Sequence, residues 1–246
     1  MVRLSDKSGN RMKEAAVTES RQICVEVNQI SFSYRKKPVL SDISFRAEEG
    51  ESLAVVGANG RGKSTLLAIL AGILKPKEGT AVCYGKVGYL PQSISLFEDM
   101  TVEDNLCFFA GLAKCEVPNE LPFRLDDKRN ERVGKLSGGQ KRQVSIACAL
   151  LGEPKVLLLD EPAAGLDVEY RESLLQLLKE KKAAGCTILY VGHEPLEVAD
   201  ICDKLLFLGE TVAVYPREAL AGETDDKLLF CKNYTELMKS KVILPV

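Results

Sequence analysis

The chain has 246 residues, 46% apolar and 28% charged, with a formal net charge of −2. This suits one large domain or a core with a small appended subdomain, and it gives no basis for a nucleic-acid surface or a polyanionic lipid partner. The longest apolar run, "LLAILAGIL" from Leu66 to Leu74, is far short of the roughly 20 residues that a bilayer span needs and reads as a buried core helix.

Residues 1–21 are polar and mixed in charge, without the apolar stretch of a secretory signal; a flexible leader ending near Arg21 is expected. The eight cysteines are scattered, none as CxxC, and there is a single histidine, His193. That spacing does not support a zinc site, and reduced, buried thiols in a cytoplasmic protein are expected.

"ICVEVNQISFSY" alternates apolar and polar residues as a strand does. "DISFRAE" and "ESLAVVG" follow, separated by the turn signal "EEG", so an antiparallel β region opens the chain. A strand then enters a glycine-rich loop, and Lys63 to Leu74 reads as a helix. "AVCYGKVGYLPQ" returns to a strand pattern, and "TVEDNLCFFAGLAK" has a capping threonine, early acids and helical spacing. "VPNELPFRLDDKRNERVG" is broken by prolines and reads as irregular. Ser137 caps a helix over "GGQKRQVSIACALL". "KVLLLDEP" and "CTILYVGH" are continuous apolar runs, the pattern of buried parallel strands, and "VEYRESLLQLLKEKKAAG" between them is an amphipathic helix. Two short strands, "DKLLFLG" and "TVAVY", come last. Alternating strand and helix predict an α/β fold with a largely parallel sheet.

"VVGANGRGKST" fits G-x-x-x-x-G-K-[ST], with a strand before it and a helix after. Glycines let successive backbone N–H groups face an anion, and the helix N-terminus adds partial positive charge. The candidates to hold nucleotide are Gly57, Asn59, Gly60, Gly62, Lys63, Ser64 and Thr65; Lys63 should reach the β- and γ-phosphates and the Ser64 hydroxyl should bind Mg²⁺. Asp160 and Glu161 end the strand of "VLLLDEP", at the carboxyl edge where open α/β sheets bind ligands. Asp160 would serve the metal and Glu161 would act as general base on the attacking water.

With "LSGGQKRQ", Leu136 to Gln143, the chain resembles the ATP-binding cassette (ABC) ATPases, the nucleotide-binding subunits of transporters, over about residues 23–215. The resemblance implies a P-loop core with an N-terminal antiparallel β subdomain and a short helical subdomain (about 93–136) within a domain spanning 22–246, closed by a short tail (216–246). It implies further roles by motif. Tyr34 in "SFSYRKKPVL" stacks on adenine. Gln92 in "YLPQ" senses Mg²⁺ and the attacking water. Asp167 in "AAGLD" crosses a dimer interface, and His193 contacts the γ-phosphate. Ser137, Gly138, Gly139 and Gln140 bind the γ-phosphate held by a second protomer, so that two ATPs are sandwiched between two subunits, identical or not.

Arg61 stands where the family usually has a small residue and either touches phosphate or points to solvent. "LFEDMTVEDNLCFFAGL" resembles the ATPases of small-molecule export systems. The expected protein is an ATPase on the cytoplasmic face of a membrane, using ATP and Mg²⁺, held there by separate integral membrane subunits, with no nucleic-acid partner. The alternative is a soluble ABC ATPase that remodels a protein or ribonucleoprotein.

Overall fold

The structure is a computed structural model describing residues 22–209 and 211–239. The expected leader (1–21) and the last seven residues of the tail lie outside the described residues. β1 (Ile23–Tyr34) pairs antiparallel with β2 (Lys37–Glu48), and its other edge pairs antiparallel with β4 (Glu78–Cys83). These three strands form the antiparallel sheet. The strand after "EEG", β3 (Ser52–Val56), lies elsewhere: all five of its residues are buried, and it joins a second sheet in parallel. A strand apolar on both sides needs cover on both faces, which an edge of the first sheet does not supply.

The second sheet has six strands in the order β5-β6-β7-β3-β8-β9. The others are β5 (Val87–Leu90), β6 (Val156–Asp160), β7 (Thr187–Val191), β8 (Lys204–Leu208) and β9 (Val212–Pro216). All neighbours are parallel except the edge pair β8–β9. "AVCYGKVGYL" is therefore two strands in two sheets. Gly85, at φ 116, makes the break between them, where a Cβ would sit 2.9 Å from Lys155 Cβ.

Side chains of β6 alternate between two cores. Leu157 and Leu159 face one cluster, with Ile188, Tyr190 and Leu205. Val156 and Leu158 face the other, with Leu189, Val191 and Leu66. This accounts for the unbroken apolar runs, and each fully buried leucine contributes about 1.5–3 kcal/mol. A third cluster lies between α2 (Val102–Ala113), α3 (Gly138–Ala149) and the segment joining them, around Leu106, Leu125, Val133 and Val144. α3 also gives Ile146 and Ala149 to the first cluster, so it belongs to both bodies.

Three expectations change. α1 (Lys63–Leu70) stops four residues before Leu74; Gly72 turns out at φ 74, and Ile73 is 64% exposed rather than core. The proline-broken segment holds a 3-10 turn at Pro122–Lys128 with Phe123 and Arg124 in left-handed conformations. Arg129 pins it, bonding Glu103, Asp126 and the carbonyls of Pro118 and Asn119. All eight cysteines are free thiols, but only Cys24, Cys186 and Cys202 are buried, and Cys107 is exposed on the outer face of α2.

α4 (Val168–Ala183) covers the sheet through Leu174 and Leu178. The tail is structured where it is described. α7 (Lys227–Lys239) packs against α5 (Pro195–Ile201) and α6 (Glu218–Ala221), burying Phe230, Tyr234 and Leu237 in the first core. Among the described residues, no helix is long and apolar enough to cross a membrane.

Candidate functional site

Four adjacent parallel strands, β5, β6, β7 and β3, end at one edge of the sheet, and each delivers a candidate residue just beyond its end. Gln92 follows β5 by two residues, Asp160 closes β6 with Glu161 next, His193 follows β7 by two, and the phosphate loop follows β3. Residues scattered over 137 positions of sequence thus meet because each lies at the end of a strand or in the loop that follows it.

The loop from Gly57 to Ser64 is shaped by its glycines. Gly57 has φ 146, and a Cβ there would lie 2.5 Å from the Leu208 carbonyl oxygen. Gly62 has φ 91 and is pressed against Val39 and Leu40, whereas Gly60 opens to empty space. Lys63 is buried, and its ammonium donates to the carbonyls of Gly57 (2.7 Å) and Ala58 (3.2 Å). Burial lowers its pKa, and the nearby Glu161 and Asp160 charges oppose that. The lysine is already folded over the loop it is to serve.

A cleft of about 420 Å³ lies over this loop, lined by Tyr34, Asn59, Gly60, Gly62, Lys63, Ser64, Thr65, Gln92 and Glu161. Tyr34 is half exposed at the end of β1 and lines the cleft, its ring meeting Phe32 edge-to-face at 5.0 Å. Arg61 is exposed and does not line the cleft, which favours the solvent reading.

Asp160 is 1% exposed, and neither carboxylate oxygen has a hydrogen-bond partner among the described residues. Burial raises its pKa, while the Ser64 hydroxyl and the Arg142 and Lys63 charges favour the ionised form. A buried carboxylate with spare acceptor capacity, beside the Ser64 hydroxyl at the phosphate loop, fits a hard divalent cation.

Glu161 behaves differently. Its backbone is left-handed, φ 51, and its N–H donates to the Val191 carbonyl (2.9 Å). One carboxylate oxygen accepts from Gln92 Nε2 (3.2 Å), and the other lies 2.8 Å from His193 Nε2. Behind this pair is a smaller cavity of about 240 Å³. Its far side holds Tyr190, whose hydroxyl donates to the buried Glu197 (2.6 Å), which in turn sits 3.1 Å from Arg171 Nε. Sequence reading passed over this cluster; an acid and an arginine in amphipathic helices carry no distinct signal.

Ser137, Gly138, Gly139, Gln140 and Asp167 do not line the cleft. Ser137 and Gln140 form a reciprocal capping box at the start of α3, each side chain bonding the other's N–H. Asp167 caps α4 by accepting from Tyr170 N (3.0 Å). Gly139 packs against Gly165, in the loop leading to Asp167. These residues form a second group of their own, beside the cleft rather than in it. Sequence reading also passed over Arg142, a 2%-exposed arginine of α3 whose guanidinium lies under the acids. Its one signal was a charge at the head of the apolar stretch "QVSIACAL".

Comparison with known proteins identifies the family. The family described as ABC transporter matches residues 40–164. The linearmycin resistance ATP-binding protein LnrL of Bacillus subtilis (strain 168) is 31% identical over 212 residues, covering 77% of this chain and 68% of that protein. Nod factor export ATP-binding protein I of Paraburkholderia xenovorans (strain LB400) is 36% identical over 209 residues, 77% of this chain and 69% of that one. A solved structure of the ATP-binding subunit of an ABC transporter superposes with a TM-score of 0.75 at 28% identity, over 87% of this chain and 99% of that one.

Proposed function

The chain belongs to the ABC transporter family as an ATP-binding, ATP-hydrolysing subunit, and from that premise we propose how its own residues turn ATP over and where it works. The observation that carries the proposal is the carboxylate of Glu161, held between Gln92 and His193 at the mouth of the phosphate-loop cleft. Glu161 accepts the proton of the attacking water as the water's oxygen bonds to the γ-phosphorus and the bond from that phosphorus to the β–γ bridging oxygen breaks, so that ADP leaves with the bridging oxygen. Gln92 and His193 hold that carboxylate in place, and His193 also reads whether the γ-phosphate is present. Lys63 moves from its own loop's carbonyls to the β- and γ-phosphate oxygens, and the loop's N–H groups cradle them. Tyr34 stacks on the base.

Ser64 and Asp160 would hold Mg²⁺, and Gln92 would sense it; bound there, the ion would supply positive charge for the phosphate oxygens. The unpartnered Asp160 oxygens support this assignment.

The group of Ser137, Gly138, Gly139, Gln140 and Asp167, set beside the cleft, serves a second subunit's ATP. Closure of two such subunits then requires ATP, and hydrolysis reopens them. The helical portion around 93–136 meets integral membrane subunits, which hold the chain at the cytoplasmic face. The names of the relatives, Nod factor export and linearmycin resistance, support an export system. Purification of the tagged chain from native membranes tests this placement: a multi-span membrane protein should copurify in fixed ratio, and recovery with soluble partners only would favour the soluble remodelling ATPase.

A further inference from the structure

We infer that Arg142 is a positioning residue that holds Glu161 in its strained backbone conformation and fixes it to the Gln92 loop; this rests on the proposal that Glu161 is the base. The guanidinium donates to five acceptors, and all are main-chain carbonyls. They are Pro91 (2.8 Å) and Gln92 (3.1 Å) after β5, Asp160 and Glu161 (2.8 Å) at the end of β6, and Pro162 (3.4 Å). No carboxylate pairs with it among the described residues. Burial pulls its pKa down, and the Asp160 and Glu161 charges pull it back.

Three consecutive carbonyls, 160 to 162, converge on one cation. The middle residue of the three, Glu161, stands in the left-handed region at φ 51. Left-handed backbone at a non-glycine residue is unfavourable and persists where its surroundings over-determine it. Arg142 grips the carbonyl on each side of Glu161 as well as its own. Only a planar fork of five N–H donors can do this; lysine has three donors at one point.

The same guanidinium holds the Pro91 and Gln92 carbonyls, so one side chain sets the separation of the Gln92 carboxamide and the Glu161 carboxylate, 3.2 Å. Ser137 caps α3 five residues before Arg142, so a shift of this helix is felt at Glu161. Arg142 does not itself line the cleft; it reaches it through the main chain of two residues that do, Gln92 and Glu161.

The test compares Arg142→Lys, Arg142→Gln and Glu161→Gln in the full chain, reading the thermal melt, the ATP dissociation constant and kcat. Arg142→Lys should fold and bind ATP within about threefold of the parent, while kcat falls roughly ten- to a hundredfold, as small misplacements of reacting groups do. Arg142→Gln should lose more kcat, again with little change in ATP affinity. Added to Glu161→Gln, Arg142→Lys should cost no further kcat, because both act on one step. Turnover within twofold of the parent in a folded Arg142 variant overturns the inference. So does parallel loss of ATP binding, or failure of both variants to fold, either of which makes Arg142 a structural residue. If Glu161→Gln itself keeps full turnover, the base assignment fails, which is a distinct outcome.

Discussion

Glu161 and His193 meet at 2.8 Å although they leave different strands, Glu161 following β6 and His193 following β7. The contact is set by the backbone before the side chains: Glu161 N–H donates to the Val191 carbonyl, two residues ahead of His193. The pair therefore keeps its register as long as β6 and β7 remain paired, and Asp160 is the last rung of that pairing, opposite Val191.

His193 is the chain's single histidine, so its ring signals in an NMR spectrum are unambiguous. They should shift on adding ATP with Mg²⁺. His193→Ala should keep ATP affinity within a few fold while kcat falls about a hundredfold, the scale of a lost contact made in the transition state. A ring signal indifferent to nucleotide would remove the histidine from the site.

Asp160→Asn should separate stability from activity. Burial raises the Asp160 pKa in the fold, so the folded state prefers its protonated form. That contribution to stability is fully present below the unfolded carboxylate value and is lost as pH rises through the folded value. At neutral pH, without nucleotide or metal, the neutral variant should melt higher than the parent, and the acid-side dependence of the melt should shrink. Its kcat should fall on the order of a hundredfold or more. Equal melts at neutral pH would mean that neighbouring charges already offset the burial.

Lys63→Ala removes the ammonium that bridges the Gly57 and Ala58 carbonyls. Nucleotide affinity should fall at least about tenfold and turnover should be lost, because a point charge on the β- and γ-phosphates is gone. Hydrolysis at the parental rate would remove the phosphate-loop assignment.

Gly57→Ala places a Cβ 2.5 Å from a backbone oxygen of β8. Backbone cannot move aside as a side chain can, so the cost should be about 1–3 kcal/mol of stability, read by denaturant unfolding. Gly60→Ala meets no atom within 4 Å, although it also sits at positive φ, so it should cost less. Equal losses would locate the strain in the backbone dihedral alone.

Much of this site is legible in the sequence because its parts are local. The phosphate loop is one contiguous stretch between a strand and a helix, and Asp160 ends a strand whose two-sided apolarity marks it as internal. What the sequence conceals depends on long-range packing. Arg142 carries an ordinary charge in a helix; only the fold brings the Gln92 and Glu161 loops over it. β3 reads as a neighbour of β2 until pairing with β7 and β8 shows its sheet. α1 ends early because Gly72 breaks it, although apolar residues continue to Leu74. α7 reads as tail in the sequence because its buried face, Phe230, Tyr234 and Leu237, is sparse among polar residues.

The most direct test is Glu161→Gln with MgATP, read by light scattering after size exclusion together with nucleotide analysis of the peak. The variant should run as a dimer holding intact ATP, and return to monomer with ADP or without Mg²⁺, while the parent hydrolyses its ATP and does not accumulate as dimer. A variant that stays monomeric with ATP at high protein concentration, or that hydrolyses ATP at the parental rate, would contradict the account.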